Sequence, residues 1–419
     1  MSTDNVIFRG TEYATYKLYS GIKQGLPLSP LLFLFYINDI FDFFGAIYSN
    51  GRNVFECLHL LVHADDATII AHDRMGAIHK LRSLLQYCLL NFIIPQYSKC
   101  EFLAINGTVA DREPLPFGDC FLPHVLHITL LGSHITCTAS LQEELELHMQ
   151  KRYKSVIKFY NYIRSNKSAP LKVKLKVLRS CVIGSLLYNC ETFGNCIPKD
   201  LESTYVKMLK VCLNVRVNTP NDLVFIESGF LPLKAVIYCR QLKFFQRFVK
   251  SVQPQSRRDK VFRFLSENQN QTSYLKHYIT LSSKYSSTED IVTEFRNEIK
   301  TRIYQNANKQ RYKFSIYVTI NPELKVSPFL DLYHPHAMNI IKFRLGTHFL
   351  PIETGRWRRT PRDERLCTAC GVVGDEKHVL YRCSLISRED IVLDPFIHNI
   401  WYQPEVFKLF ERIKAVKYL

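Results

Sequence analysis

The chain has 419 residues and a mass of 49.0 kDa, which is enough for about two or three domains with cores of their own. Hydrophobic residues make up 47% of it and aromatic residues 13%, so a largely disordered protein is excluded. The net charge of +17 and the pI near 9.2 favour a polyanion as the large partner.

The amino terminus lacks the cationic flank and apolar stretch of a signal peptide. The longest apolar run, Leu31 to Ile37, is too short to span a bilayer. Thirteen scattered cysteines, an odd number, are typical of a reducing compartment in which most thiols are small core residues. These features predict an intracellular protein of the nucleus or cytoplasm that is not secreted and has no membrane partner.

The first third of the chain mixes short strand-like patterns with helical ones, which predicts the α+β class. Leu31 to Phe44 is apolar on every side and predicts a buried helix behind a sheet. Arg74 to Asn91 has apolar residues at helical spacing and predicts an amphipathic helix. Strands are predicted from Lys99 to Ile105 and from Ile128 to Ile135, on either side of a proline-rich loop.

Two adjacent aspartates, Asp65 and Asp66, interrupt the apolar stretch from Leu58 to Ala71. The short apolar runs on both sides predict a strand, a tight turn and a returning strand, with the carboxylates at the hairpin tip. Carboxylates in that position can hold divalent metal ions beside a phosphate group. For an isolated pair of aspartates, the alternative is an ordinary hairpin turn.

A segment rich in glycine and proline, Gly21 to Pro30, precedes the aspartate pair. Gly25 and Pro27 fix a bend without a bulky side chain, so a partner molecule can approach the backbone closely there. Gln24 and Ser29 supply neutral hydrogen-bonding groups at the same surface. Taken alone, such a segment predicts only a turn.

This segment, the sequence from Tyr36 to Ile40 and the Ala64-Asp65-Asp66 triplet together resemble the reverse transcriptases of non-LTR (LINE-type) retrotransposons. The resemblance is dense over roughly residues 19–135. It implies a partial polymerase palm, which is an antiparallel sheet with packed helices, and RNA-directed DNA synthesis with Mg²⁺. Asp65 would bind the metal and Asp66 would support it. His63 departs from the family, which usually has an aromatic residue there.

The resemblance also implies roles for residues around the metal site. The implied template and nucleotide contacts are Gln24, Gly25, Ser29 and Lys99, and the implied primer grip is Leu131 and Gly132. The family has a further metal-binding aspartate well before Gly21, in a polymerase region that lies upstream of this sequence. The chain is therefore expected to be a fragment of a transposable-element nucleotidyltransferase, inactive without the missing N-terminal polymerase region.

A basic stretch without any Asp or Glu runs from Leu147 to Cys190 and contains ten Lys and Arg residues interleaved with aromatic ones. It overlaps a region that resembles the helical thumb of LINE-type proteins. Lys172, Lys174 and Lys176 are its candidate nucleic-acid contacts, because balanced surfaces normally mix both signs of charge. The alternative is a solvated helix face with a buried aromatic side.

The carboxyl-terminal part carries Cys367, Cys370, His378 and Cys383, spaced Cys-x2-Cys-x7-His-x4-Cys. Three thiolates and an imidazole satisfy a tetrahedral Zn²⁺ ion and leave no position for water, so the spacing predicts a structural zinc site. Chance clustering of cysteines is the alternative. The preceding sequence, Leu345 to Cys367, resembles the one before the CCHC zinc motif of LINE-type proteins.

Arginines surround Trp357 in that preceding sequence. Their guanidinium groups can bind phosphates, and the indole can stack on a base. Arg356, Trp357 and Arg358 are therefore candidate nucleic-acid contacts.

Taken together, the patterns and the resemblance imply four parts in chain order. These are a partial palm at 1–138, a helical thumb at 139–250, a polar helical connector at 251–340 and a zinc module at 341–419. The implied partners are an RNA template, a DNA primer or target and deoxynucleotides. The alternative function is a non-catalytic RNA- or DNA-binding protein, or a relic, that retains the thumb and the zinc module.

Overall fold

The computed structural model describes residues 2–8, 11–18, 27–48, 59–194, 196–267, 273–285, 291–309, 313–332 and 334–418. The contacts between residues divide the chain into two units. The first consists of residues 1–140 and 251–268, and the second of residues 141–250 and 269–419. Within the described residues, no helix combines the length and the apolar character that crossing a membrane requires.

All the paired strands are short, and each pairs with its neighbour in sequence. They are β1 (Ser2–Phe8), β2 (Thr11–Leu18), β3 (Leu60–His63), β4 (Asp66–Ile69), β5 (Leu115–Phe117), β6 (Cys120–Leu122), β7 (His127–Leu130) and β8 (Ser133–Thr136). They form four antiparallel ladders, β1–β2, β3–β4, β5–β6 and β7–β8. The expected antiparallel sheet is thus seen, within the described residues, as separate two-stranded hairpins.

Helices account for most of the remaining chain. They are α1 (Ser29–Tyr36), α2 (Ile40–Tyr48), α3 (Arg74–Leu90), α4 (Leu141–Arg152), α5 (Lys154–Ser165), α6 (Leu171–Val177), α7 (Gly184–Leu186), α8 (Lys199–Cys212), α9 (Asn221–Ser228), α10 (Leu233–Lys250), α11 (Arg257–Glu267), α12 (Ser273–Lys284), α13 (Ile291–Lys309), α14 (Lys313–Ile320), α15 (Ala337–Arg344), α16 (Pro351–Trp357), α17 (Glu376–Tyr381) and α18 (Glu405–Ala415). A π-helical segment, Leu178–Ile183, joins α6 to α7, and 3-10 turns lie at Tyr97–Lys99, Ala110–Arg112, Cys190–Thr192 and Ile400–Tyr402. Helices with small antiparallel sheets agree with the predicted α+β class.

The helix α3 organises the first unit. Asp73 caps its amino terminus by accepting a hydrogen bond from the Gly76 amide at 2.7 Å, which satisfies an amide that the helix itself cannot pair. One side of α3 buries Ile78 and Leu81 against the β5–β6 hairpin. Its last turns bury Tyr87 in a second small cluster with α2 and β3. The predicted helix from Arg74 to Asn91 is confirmed to within one residue.

Other sequence-based predictions for the first unit were wrong in detail. The apolar run from Leu31 to Phe44 is broken between α1 and α2 at Asp39, whose carboxylate accepts a hydrogen bond from Tyr87. Leu31 and Phe35 of α1 are exposed rather than buried. The predicted strand at 99–105 is a 3-10 turn followed by a single parallel bridge from Phe102 to His124.

The strand predicted at 128–135 is a hairpin, because Leu131 and Gly132 turn the chain between β7 and β8 with positive φ angles of 48° and 82°. The proline-rich loop contains a hairpin of its own, β5–β6. Both hairpins were missed for the same reason. A two-residue turn leaves almost no polar interval in the sequence to separate one strand from the next.

The second unit is helical and has one continuous core, which extends from Leu145 in α4 to Ile413 in α18. Helix α13 belongs to this core through Val292, Phe295 and Ile299. Residues 252–313 are polar in composition, yet they include the amphipathic helix α13, which has one buried apolar side.

A buried ion pair joins distant parts of the second unit. Arg344 donates from Nε to Glu227 Oε1 at 2.7 Å and from Nη2 to Glu227 Oε2 at 3.2 Å. Tyr317 also donates to Glu227 Oε2 at 2.7 Å, and Asn321 donates to the Tyr317 hydroxyl at 3.0 Å. Glu227 is fully buried and Arg344 is 3% exposed. Burial alone would lower the pKa of Arg344, but the adjacent Glu227 raises it.

We expect Glu227→Gln to lower the free energy of unfolding by about 3–5 kcal/mol, because it leaves a buried guanidinium without its counter-charge. Urea unfolding at pH 7 measures the effect. The matched control is Asp331→Asn, which breaks the exposed pair with Lys172 at 3.0 Å and should change stability by less than about 1 kcal/mol. Equal effects of the two substitutions would contradict the structural role of the buried pair.

Candidate nucleic-acid and metal sites

The aspartate pair lies at the tip of the β3–β4 hairpin. His63 pairs with Asp66 in the ladder, and Ala64 and Asp65 form the turn between the strands. Ala64 has a left-handed φ of 54°, which closes the turn. Both carboxylates are exposed. The predicted strand–turn–strand with acidic groups at its tip is therefore confirmed.

The helix α3 holds this hairpin in place from one side. Leu60 is buried in the cluster with Tyr87, and Ile69 packs against both small cores of the first unit. Lys80 of α3 is 7% exposed and donates to the Ile70 carbonyl at 2.6 Å, just beyond the end of β4. The strand alternation places the apolar side chains on α3 and leaves the tip in solvent.

The other implied polymerase contacts fall at separate places. Gln24 and Gly25 lie outside the described residues. Ser29 is the first residue of α1 and is half-buried. Lys99 is exposed at the end of the 3-10 turn, and Leu131 with Gly132 forms the β7–β8 turn.

The three candidate lysines of the basic stretch differ in their surroundings. Lys172 is exposed and pairs with Asp331. Lys174 is 7% exposed, and its Nζ donates to the Lys167 carbonyl at 2.8 Å. Lys176 is exposed. The predicted surface position of Lys174 is therefore wrong, because this residue is buried in its helix. Most other basic residues of the stretch lie on the surface. The exposed ones are Lys151, Lys154, Lys158, Arg164, Lys167, Lys172, Lys176 and Arg179.

The structure brings Cys367, Cys370, His378 and Cys383 together. Their ligand atoms all lie within 4.8 Å of one another, and all but Cys370 are buried. The Sγ atoms of Cys367 and Cys383 are 3.8 Å apart. Two sulfurs held 2.3 Å from a tetrahedral zinc ion would be separated by about 3.8 Å. The donor set and its spacing therefore fit Zn²⁺.

Local hydrogen bonds fold the two halves of this cluster. The Gly371 amide donates to the Cys367 carbonyl at 2.9 Å, and the Cys367 amide donates to the Val372 carbonyl at 2.7 Å. Gly371 has a φ of 67°, a conformation that glycine adopts without strain. On the other half, Asp375 caps α17 by accepting from the His378 amide at 2.9 Å.

The electrostatics of the cluster favour a cation at its centre. Burial opposes ionisation of Cys367, but the amides of Ala369 and Cys370 and the His378 imidazole outweigh it and lower the pKa to about 6. Burial and then the nearby Cys367 raise the pKa of Cys383 to about 11. The protein groups therefore favour the thiolate of Cys367 and oppose that of Cys383, which a positive ion beside it would favour. His378 Nε2 is buried and has no hydrogen-bond partner among the described residues.

A second layer of contacts supports the cluster. His348 and Glu376 form a buried pair, with 2.9 Å between Nε2 and Oε1, and Glu376 lies in the helix that carries His378. Gly374 packs so closely on Pro351 that an added Cβ would lie 2.6 Å from its ring. The start of α16 is thereby fixed against the loop between the ligands.

The residues around Trp357 are also brought together with a distant segment. Trp357 is 44% exposed at the end of α16, and the Arg216 guanidinium lies 3.6 Å from the centre of its ring. Arg356 pairs with the buried Glu353 at 2.7 Å, whereas Arg358 is exposed. Arg216 and Phe349 were missed by sequence reasoning, because no local pattern connects residue 216 to residues 349 and 357.

Residues 2–135 match the model of a family described as reverse transcriptase (RNA-dependent DNA polymerase). The matched segment contains the β3–β4 hairpin with Asp65 and Asp66, and also Ser29, Lys99 and the β7–β8 turn. The match supports a reverse transcriptase-like, RNA-directed DNA polymerase domain over these residues. Such a domain implies a nucleic-acid template and nucleotide substrates. No curated protein matches the chain.

We expect the full chain, purified without chelator, to hold one Zn²⁺ ion and Cys370→Ser to lose it. Structural zinc supplies about 10–16 kcal/mol of apparent binding energy, so zinc removal should also lower the thermal midpoint. Because thiolates and neutral imidazole are the ligands, zinc should dissociate as the pH falls. Elemental analysis and thermal unfolding measure both effects. Cys181→Ser, an exposed cysteine outside the cluster, is the control, and less than half an equivalent of zinc in the unaltered chain would contradict the assignment.

Proposed function

We propose that the chain is part of an RNA-directed DNA polymerase of a non-LTR, LINE-type retrotransposon. The observation that carries the proposal is the β3–β4 hairpin, which presents Asp65 and Asp66 at an exposed tip inside the segment that matches the reverse transcriptase family. An exposed carboxylate pair at a tight turn is accessible to a primer terminus and a nucleoside triphosphate. Mg²⁺ is the ion that such oxygen ligands and phosphates prefer.

The proposed roles follow from this assignment. Asp65, supported by Asp66, would hold the divalent ions, which in the complete polymerase would activate the primer hydroxyl and stabilise the leaving pyrophosphate. Ser29 and Lys99, with Gln24 and Gly25, contact the template and the nucleotide. Leu131 and Gly132 grip the primer, because the exposed turn between β7 and β8 allows a sugar-phosphate backbone to approach closely.

The second unit is proposed to hold nucleic acid. The palm, thumb, connector and zinc module are proposed at 1–138, 139–250, 251–340 and 341–419. Helix α5 presents Lys154 and Lys158 one turn apart on its exposed surface, next to the exposed Tyr153. Lysines in this arrangement neutralise successive phosphates. The zinc ion would hold the carboxyl-terminal part in shape and take no part in the chemical step.

A non-catalytic nucleic-acid-binding protein is the second candidate function. Two observations favour it. The basic surface of the second unit is built independently of Asp65 and Asp66, since it lies on α5 and α6. Among the residues that the structure describes, the cysteine–histidine cluster is the one group of three or more potential metal ligands, so no third acidic group joins the aspartate pair there.

We expect the purified chain to extend a primer on an RNA template, with Mg²⁺ and deoxynucleotides, no faster than its Asp65→Asn, Asp66→Asn variant. Two-metal catalysis needs several carboxylates to position both ions and the primer hydroxyl, and the described residues supply only this pair. Gel analysis of extended primer is the measurement. Template binding by both proteins is the control. Extension that disappears in the double variant would refute the inactivity and establish the polymerase assignment.

The logarithm of the binding constant for single-stranded RNA should fall linearly as the logarithm of the salt concentration rises, because each neutralised phosphate releases counterions. Replacing Lys154, Lys158 and Lys176 with Gln should reduce the slope by about 0.7 for each phosphate contact that is lost. Fluorescence anisotropy at several salt concentrations measures the slope.

A control variant of equal charge is available in the same unit. Lys207, Lys300 and Lys414 are exposed and lie outside the basic stretch. Their replacement with Gln should leave the slope close to that of the unaltered chain. Equal slopes for the two triple variants would mean that α5 and α6 do not form the nucleic-acid surface.

A further inference from the structure

We propose that Phe349, Trp357, Arg216 and Asn218 form a pocket that takes one unpaired base of a single-stranded nucleic acid. The inference rests on the proposed nucleic-acid binding of the second unit and adds the place at which a base, rather than a phosphate, is held. The four residues line a shallow recess on the surface that is widely open to solvent.

Two aromatic rings form the walls of this recess. The centroids of Phe349 and Trp357 are 5.9 Å apart, and their planes are at 86°. Phe349 is 52% exposed and Trp357 is 44% exposed. Because the Arg216 guanidinium covers one face of Trp357, at 3.6 Å from its centroid, a planar base that enters the recess stacks on Phe349 and lies beside the Arg216–Trp357 pair. Such stacking is favourable for aromatic groups.

The walls are held in position by contacts within the protein. The Phe349 amide donates to the Tyr418 carbonyl at 2.9 Å. Arg216 Nη2 donates to the His348 carbonyl at 3.3 Å, and its guanidinium lies 3.6 Å from the Trp357 centroid and 5.3 Å from that of Phe349. A pocket that is already formed loses less conformational entropy when it binds.

The polar groups at the recess suit a nucleotide. Asn218 is exposed, and its side-chain amide offers both a donor and an acceptor to the edge of a base. Arg358 and Arg359, directly after Trp357, are exposed and can neutralise the adjoining phosphates. The one acidic group next to them in α16, Glu353, already pairs with Arg356 at 2.7 Å.

An unpaired base fits this site better than a base pair. In a duplex the faces of the bases are covered by stacking, so two perpendicular rings cannot reach them. A single strand exposes those faces, and stacking on aromatic side chains accepts any base. The recess is therefore expected to select single strands without selecting a sequence.

The chain offers a direct optical test. It has two tryptophans, and Trp401 is 3% exposed with its indole N–H bonded to the Ile320 carbonyl at 3.1 Å. Trp357 is the accessible one, so a base stacked in the recess should quench its fluorescence. The probes are 12-nucleotide oligo(U) and oligo(dT), a duplex, and an abasic 12-mer with the same number of phosphates, each titrated into the full chain.

We expect both single strands to quench the fluorescence and the abasic strand and the duplex to leave it nearly unchanged. Phe349→Ala should weaken oligo(U) binding by about 5- to 150-fold, the range found for the loss of one stacked base. Phe396→Ala, which removes an aromatic ring that is 63% exposed outside the recess, should have no such effect. Unchanged Trp401 emission verifies that the variants remain folded.

Two results would overturn the inference and are distinguishable. Equal affinity for oligo(U) and the abasic strand, without quenching, would show binding through phosphates alone and leave the proposed nucleic-acid function standing. Absence of binding to every strand at low salt would reject that function together with the pocket. Quenching by the duplex to the same extent would reject the selection of an unpaired base.

Discussion

The buried pair of Glu227 and Arg344 is the constraint on which the second unit depends. The partners are 117 residues apart, and the carboxylate is completed by Tyr317, so α9, α14 and α15 must meet at one point. An incompletely paired charge in this interior would cost several kcal/mol, which penalises alternative packings of these helices. The helices before and after the polar residues 252–313 consequently share one core.

The cysteine–histidine cluster shows what sequence spacing can predict and why. All four ligands lie within 17 residues, and the turns that gather them are local: Gly371 reverses the chain and Asp375 starts the helix that carries His378. The aspartate hairpin was predictable for the same reason, since a two-residue turn between apolar runs determines its own geometry. Both sites depend on short-range hydrogen bonds that the residue order specifies.

Features that depend on how the helices and hairpins pack escaped prediction. Lys174 looked like its neighbours Lys172 and Lys176, yet helical rotation and packing turn it inward to the Lys167 carbonyl. The recess at Trp357 needs Arg216 and Phe349, which lie far apart in sequence. The strand predicted at 99–105 was wrong because, among the described residues, this segment pairs through a single bridge between Phe102 and His124 instead of a ladder.

The two proposed metal sites differ in how many of the ligands the protein supplies. The cysteine–histidine cluster is buried and offers four ligands, which complete the coordination of zinc, so the ion would stay bound without any substrate. The Asp65–Asp66 tip is exposed and offers carboxylates alone. Mg²⁺ keeps several water ligands and is commonly held by one or two carboxylates together with substrate phosphates. If the hairpin tip acts as proposed, its ions would therefore arrive with the nucleotide.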